Sequence, residues 1–290
     1  MLFQRTVVLG AGGILGRQVV AALQRRGIAH AAYRHADLEI ADEPAARARL
    51  AEDQPTLLIN CAAFTKVDEC ETRREHALRI NGHAVGMLAR VAREHDALLV
   101  HLSSDYIFPG NGTRPYREDD PPAPDDRLSA YGLSKLEGDR QIFASGCRYL
   151  IARTSWVYGP GGPNFVDTIL NAARTRPELK VVNDQRGRPT YTADLAEGIL
   201  LLLERGATGV VNVTNSDECT WYEFACEIVR RAGLSTPVHP CTTAEFPRPA
   251  KRPAYSVLDL SRFTSIVGRP LRTWREALAA YLEDRERPRA

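Results

Sequence analysis

Three side chains in the middle of the chain have the types needed to move a proton onto or off an oxygen bonded to carbon. Tyr131 and Lys135 stand four positions apart in Tyr131-Gly132-Leu133-Ser134-Lys135, a spacing that on a helix puts both on one face. A cation beside a phenol favours the phenolate and draws the tyrosine pKa down from about 10. Upstream, Ser104 in Ser103-Ser104-Asp105-Tyr106 supplies a hydroxyl that can hydrogen-bond the same substrate oxygen. Together these are the parts for acid–base work on an alcohol or ketone while hydride moves. A Tyr-x-x-x-Lys pair on its own is also a common feature of solvated helix faces, so the reading rests on the order of the parts.

The elements that must position them can be read on either side. Ala97-Leu98-Leu99-Val100 is an apolar run expected to form a buried strand, with Ser103 and Ser104 at its end. A polar loop follows, carrying Gly110, Gly112, Pro115, Pro121, Pro122 and Pro124, before the Tyr131 helix. Loops this long inside compact domains are usually functional. At the start of the chain, Thr6-Val7-Val8-Leu9 reads as a strand and Gly10-Ala11-Gly12-Gly13-Ile14-Leu15-Gly16 as a glycine-rich turn opening a helix to about Arg26. Glycines there let the backbone approach a pyrophosphate, whose charge the helix N-terminus stabilises. Between a strand and a helix, such a turn points to a dinucleotide.

The second strand, near Ala29 to Tyr33, ends in Arg34-His35 and not in an acid. Arginine suits a 2′-phosphate where Asp or Glu would hold a ribose hydroxyl, which favours NADPH, with NADH as the alternative carrier. Arg34 also reads as a cation lying along the sheet edge. Pro44 to Glu52 is expected to be helical and Thr56 to Asn60 a strand. That strand delivers Asn60-Cys61-Ala62-Ala63 at its C-terminal end, where open α/β sheets bind ligands and small side chains let a cofactor pass. Cys61 reads as a buried thiol without redox meaning. Asp68, Glu69 and Glu71 are expected to cap one long helix reaching about His95. Further on, Tyr149 to Arg153 is a strand, Asn164 to Thr175 a helix, Lys180 to Val182 a strand, Asp194 to Leu203 a helix and Val210 to Val213 the last core strand. Thr220 and Glu223 have capping-box spacing, with Trp221 and Tyr222 as packing aromatics. The final helix is expected over Leu271 to Glu283.

The order of these words resembles the dTDP-4-dehydrorhamnose reductases, a family of extended short-chain dehydrogenase/reductases. The resemblance is carried by Tyr131 and Lys135 with Ser104, by Ile59 to Asp68, Ser103 to Phe108, Arg153 to Gly159 and Asn183 to Thr190, and by Arg252 to Leu258. It implies a Rossmann-type doubly wound parallel sheet with a smaller C-terminal substrate-binding lobe. Residues 1–154 would form the NAD(P)-binding domain, with the chain returning to it at about 182–216. Residues 155–181 and 217–262 would form the sugar-nucleotide lobe, and 263–290 a closing helix and tail. By position, the family's cofactor contacts fall on Gly10, Gly13, Ile14, Leu15, Gly16, Arg34, Asp37, Leu38, Ala62, Ala63, Phe64, Thr65 and Leu102, besides Tyr131 and Lys135. Its substrate contacts fall on Ser104, Asp105, Tyr106, Trp156 and Arg252. Position 104 more often carries Thr in the family; serine keeps the donor and loses the methyl that restricts its rotamer.

The implied reaction is reduction of the 4-keto group of dTDP-4-dehydrorhamnose to dTDP-L-rhamnose, with Tyr131 as proton donor and Lys135 and Ser104 assisting. Three other readings share these motifs. The substrate can be another nucleotide 4-keto-6-deoxysugar. The chain can be a non-catalytic NADP-binding regulatory subunit, like those of methionine adenosyltransferase, although Ser104, Tyr131 and Lys135 are all intact. An epimerase or dehydratase is less well supported, since Tyr106 and not Glu follows Asp105. Some family members dimerise through a metal held by glutamates; those places hold Gln18 and Ala193, poor ligands for a hard cation, so no metal site is expected. The expected state is a monomer or a homodimer joined without metal.

Composition narrows the class. The 290 residues are 44% hydrophobic and 26% charged, with a net charge of +2, which suits a globular enzyme and gives no sign of a nucleic-acid partner. Six cysteines show no Cys-x-x-Cys pair, and no apolar run approaches membrane-spanning length. The N-terminus enters a strand directly, so a reduced, cytoplasmic protein is expected. The arginines from Arg285 to Arg289 read as a solvated tail.

Overall fold

The computed structural model describes residues 3–286. Short apolar strands alternate with helices through its first two thirds: β1 (Thr6–Leu9), α1 (Ile14–Arg25), β2 (His30–Tyr33), α2 (Glu43–Asp53) and β3 (Leu57–Asn60). They are followed by α3 (Val67–Thr72), α4 (Arg74–Leu78), α5 (Ala84–Glu94), β4 (Leu98–Ser104), α6 (Ala130–Ser145) and β5 (Arg148–Thr154). With β10 (Gly209–Asn212), six strands form one sheet in the order β10-β5-β4-β3-β1-β2, every pairing parallel. The residues of β1 and β3 are all buried, as a parallel sheet covered on both faces requires. Alternation sends Val8, Ile59 and Val100 to one face with α1, and Val7, Leu58 and Leu99 to the other with α5.

The chain runs outward from β1 to β2, then returns to the opposite side of β1 as β3. Leu9 pairs with Asn60, so both strands end level at this reversal, where such sheets bind ligands. The connection expected as one helix from Asp68 to His95 is instead α3, α4, a wide turn over Arg79–His83 and α5. Arg73 leaves helical geometry, with φ −125° and ψ 47°. In the wide turn, the side chain of Asn81 accepts from Phe64 N at 2.8 Å and donates to Phe64 O at 2.9 Å and Ser134 Oγ at 3.0 Å. The helix widens there without breaking, and these tertiary hydrogen bonds hold the wider turn.

After β5 come β6 (Val157–Tyr158), α7 (Phe165–Thr175), β7 (Leu179–Val182), β8 (Arg186–Gly187), β9 (Thr190–Tyr191) and α8 (Thr192–Glu204), which packs on the main sheet opposite α5. Beyond β10 lie β11 (Cys219–Thr220), α9 (Trp221–Arg231), β12 (Val238–Cys241), α10 (Ser261–Val267) and α11 (Trp274–Glu286). The small ladders β6–β9, β7–β12 and β8–β11 surround a separate core that includes Tyr158, Tyr191, Phe224, Trp274 and Tyr281. The Thr220–Glu223 capping box forms as expected, both reciprocal bonds being present. A similar pair sets the start of α11 three residues later than expected: Thr273 N donates to Glu276 Oε2 at 2.8 Å and Glu276 N to Thr273 Oγ1 at 3.3 Å. Of the arginine-rich tail, Arg285 belongs to α11 and pairs with Asp167 at 2.7 Å, so it is not a free solvated end; positions beyond 286 lie outside the described residues. Among the described residues, no helix is long and apolar enough to cross a membrane.

Candidate active site

Ser104 is the last residue of β4, and the chain then tightens into a single turn over Asp105–Ile107. Tyr106 N donates to Ser104 Oγ at 3.2 Å, and Ser104 Oγ donates to Asp105 Oδ1 at 3.0 Å, which fixes the hydroxyl at the strand end. The long loop after it is ordered by pairing with the 253–259 segment: Tyr116 N donates to Val257 O at 2.8 Å and Tyr255 N to Gly110 O at 2.9 Å. α6 then begins with two caps. Gly132 N donates to Ser129 Oγ at 3.1 Å, and Ala130 N to Glu71 Oε1 at 2.8 Å. Glu71 therefore caps α6 and not the helix that contains it. Tyr131 and Lys135 both line a cavity of about 420 Å³, with Ser104 and Asp105 on its wall.

The electrostatics differ from the sequence expectation in one respect. Lys135 does not lower the Tyr131 pKa here; burial pushes the phenol well above its usual value, while a hydrogen bond from Ser104 pulls the other way and Asp105 adds to the rise. The Lys135 ammonium is turned toward His101, its Nζ 3.3 Å from His101 Nε2, and burial brings its pKa down to about 8 against the pull of Asp139. Asp105 is driven up to about 7, chiefly by burial. The site thus favours uncharged forms of its tyrosine and carboxyl, because little water reaches them. A neutral buried phenol is the form that can give a proton to a carbonyl oxygen.

A second cavity, of about 690 Å³, adjoins the first; Gly13, Cys61 and Ala63 line both, so a continuous groove crosses the ends of β1 and β3. Gly10 holds φ +72°, and a Cβ there would stand 2.5 Å from Ala62 N, so only glycine allows the turn to lie against the β3 end. α1 starts at Gly13 with no side-chain cap, leaving its N-terminus open to the groove. These features fit a dinucleotide phosphate: a glycine cradle, an uncapped helix end and a cationic far wall. Of the residues expected to hold the cofactor, Gly10, Arg34, Leu38, Ala62 and Phe64 line the outer cavity, and Ile14, Leu15, Thr65 and Leu102 the inner one. Gly16 and Asp37 line neither. Gly16 packs under the turn against Gly10, and Asp37 holds Arg34, accepting from Arg34 Nε at 2.9 Å and Nη2 at 3.1 Å. Arg73 and His76, which the sequence reading passed over, face the same outer cavity from α3's end and α4.

Around the substrate end, three expectations change. Trp156 lines the cavity and stacks on Trp221, centroids 3.5 Å apart and planes within 5°. Its backbone takes φ +47°, unusual for so bulky a residue, and Gly187 leaves room for the ring, since a Cβ there would come within 2.6 Å of its Nε1. Trp221, expected to be packing only, lines the cavity with Trp156. Its place as the first residue of α9 after a capping box was the available signal. Arg252 lies outside the main cavity, beside Tyr106 in a small neighbouring one, and its Nη1 is 2.5 Å from Asp68 Oδ1. Asp68 also meets Arg248 at 3.1 Å and accepts from Ala250 N at 3.2 Å. It therefore fastens the proline-rich 247–253 strap and is not a helix cap.

Cys61 lines the groove with its thiol pushed up to about 12 by burial, in keeping with a thiol that stays protonated. The sequence profile described as "RmlD substrate binding domain" matches residues 4–287. The chain belongs to the dTDP-4-dehydrorhamnose reductase family. It is 42% identical over 282 residues to the dTDP-4-dehydrorhamnose reductase of Streptomyces griseus, covering 94% of this chain and 91% of that one. It is 43% identical over 281 residues to the spore coat polysaccharide biosynthesis protein SpsK of Bacillus subtilis (strain 168), covering 97% and 98%. The solved dTDP-4-dehydrorhamnose reductase of Bacillus anthracis in complex with NADP superposes with a TM-score of 0.92 at 34% identity, covering 97% of this chain and 99% of that one. Membership makes this chain an oxidoreductase of the extended short-chain type, and the sheet described above is the fold of that superfamily.

Proposed function

We propose that this reductase takes hydride from NADPH to the 4-keto carbon of dTDP-4-dehydro-6-deoxy-L-mannose, giving dTDP-L-rhamnose. The observation that carries the reading is the shared cavity: Ser104, Tyr131 and Lys135 line one pocket that opens directly into the glycine-turn groove. Bound there, NADPH supplies the hydride. Gly10, Gly13 and the α1 N-terminus hold the pyrophosphate, and Ala62 and Ala63 offer a low wall for the chain of the cofactor to pass. Arg34, positioned by Asp37, faces the adenosine 2′-phosphate; NADH, lacking that group, is the weaker carrier.

Ser104 orients the ketone by donating to its oxygen, its hydroxyl turning away from Asp105 to do so. Tyr131 gives its phenolic proton to the same oxygen as negative charge develops, and Lys135, one turn along α6, assists by holding the nicotinamide ribose. General acid catalysis of this kind contributes on the order of 10²–10⁴-fold, with positioning and charge stabilisation supplying the remainder. Asp105 and Tyr106 bound the sugar subsite, Trp156 with Trp221 forms its aromatic wall, and Arg252 stays on the strap beside Tyr106, held by Asp68. The test is oxidation of NADPH, followed by absorbance, with enzymatically generated dTDP-4-dehydrorhamnose. Stoichiometric oxidation with dTDP-L-rhamnose as product is expected. NADPH binding without turnover, or faster turnover of another 4-keto sugar, would overturn the assignment of substrate.

A further inference from the structure

Behind the catalytic cavity, Lys135 has a neighbour that the reaction does not use. His101 lies in the middle of β4, wholly buried, with Asn60 and Lys135 nearly as enclosed. Its Nε2 is 3.3 Å from Lys135 Nζ and its Nδ1 is 3.3 Å from Asn60 Nδ2. The direction of this chain is set at its far end. Asn60 Oδ1 accepts from the backbone N–H of Ala62 at 3.1 Å, so the amide must present its NH₂ to the ring. The ring Nδ1 then accepts, and a neutral imidazole carries its one hydrogen on Nε2. An Nε2–H can donate to an uncharged amine; it opposes an ammonium, which has no acceptor.

We propose that Asn60 and His101 form a hydrogen-bond chain of fixed direction that favours the uncharged amine of Lys135 in the cofactor-free protein, making His101 a positioning residue for that lysine's proton. The other groups around the lysine come from every neighbouring element. Asp139 follows it by one turn on α6, held by Ser103 Oγ at 2.9 Å and Arg153 Nη2 at 3.6 Å; Tyr131 precedes it by one turn; Asp105 comes directly after β4; and Cys61 directly after β3. Asp139 favours the ammonium, while Arg153 offsets that charge and His101 opposes it. A doubly protonated ring would break the chain, and burial beside Lys135 pushes the His101 pKa well down. The chain begins at Ala62, whose backbone lies against Gly10 in the glycine turn. Three hydrogen bonds therefore link the pyrophosphate cradle to the lysine's charge state.

The inference rests on Lys135 being the lysine of the reaction, but its test needs no turnover and so fails or succeeds apart from the proposed activity. Long-range proton–nitrogen NMR of the cofactor-free protein reports which ring nitrogen carries hydrogen, the His101 signals being those lost in His101→Gln. Hydrogen on Nε2 is expected; hydrogen on Nδ1, or on both nitrogens, overturns the proposal. In parallel, carbon-13 labelling at lysine Cε gives four signals to titrate, one for each lysine of the chain. Asn60→Asp keeps the acceptor for Ala62 but turns the donor facing the ring into a second acceptor, which reverses the chain. Lys135, titrating near 8 in the wild type, should then move up by about one pH unit or more. An unchanged titration overturns the proposal, and if Asn60→Asp does not fold, the wild-type tautomer decides.

Discussion

Replacing Asp105 by Asn should stabilise the protein at pH 8 and leave its stability nearly unchanged at pH 4. The carboxyl is 2% exposed and accepts from Ser104 Oγ at 3.0 Å. Burial raises its pKa from 3.8 to about 7, with hydroxyl hydrogen bonds pulling the other way. Between those two values the folded protein holds one proton more than the unfolded chain, so stability falls as pH rises, and the loss is complete above about pH 7. A displacement of about three pH units at 1.36 kcal/mol each amounts to ~4 kcal/mol. Asparagine has the same shape, can accept from Ser104 through its carbonyl, and never ionises. At pH 8 its advantage should therefore approach ~4 kcal/mol, or roughly 8 °C in Tm for a chain of this size. Scanning calorimetry of the cofactor-free protein and variant at intervals from pH 4 to 8 would measure it. The expected result is a gap in Tm that opens steadily with pH. A variant less stable than the wild type at pH 8, or a gap equal at every pH, would show that the carboxyl is ionised and well solvated in the fold.

Other substitutions test other parts of the site. Arg34→Asp removes the proposed charge-assisted partner of the 2′-phosphate and should lower the NADPH-to-NADH ratio of kcat/KM by about 10- to 100-fold, read from parallel assays with the two carriers. Asp68→Asn frees Arg248, Arg252 and Ala250 N, so amide exchange over residues 248–253 should quicken while exchange in β4 is unchanged. Trp221→Ala unstacks Trp156 and should raise the KM for the sugar nucleotide several-fold, with little effect on the KM for NADPH, in steady-state assays.

Much of the frame was legible because local patterns and the tertiary fold agree. The strand–glycine–helix start, the Ser104 strand end and the Tyr131–Lys135 helix all appear where residue spacing predicts, and each is held by short-range chemistry such as the Ser129 cap. What escaped the sequence depends on partners far away along the chain. The expected long helix breaks at Arg73 and widens over Arg79–His83, where Asn81 reaches Phe64 and Ser134. Asp68 looks like a helix-start acid until the strap 180 residues on is seen to fasten to it. Trp156 and Trp221 lie 65 positions apart in the sequence yet stack face to face. The Tyr131 pKa could not be read from its four-residue spacing to Lys135, because spacing shows which residues share a helix face but not where a flexible ammonium points. His101 passed as one more strand residue, since nothing in its neighbours' sequence marks a histidine that faces a buried lysine.

Tyr131→Phe removes the phenolic proton that the proposed mechanism gives to the substrate ketone. The measurement is single-turnover oxidation of bound NADPH with dTDP-4-dehydrorhamnose, alongside NADPH affinity from fluorescence titration. The variant should bind NADPH with affinity within a few-fold of the wild type and oxidise it about 10²-fold or more slowly, as loss of a general acid requires. Oxidation at the wild-type rate would contradict that mechanism and move the proton donor to another group on the cavity wall.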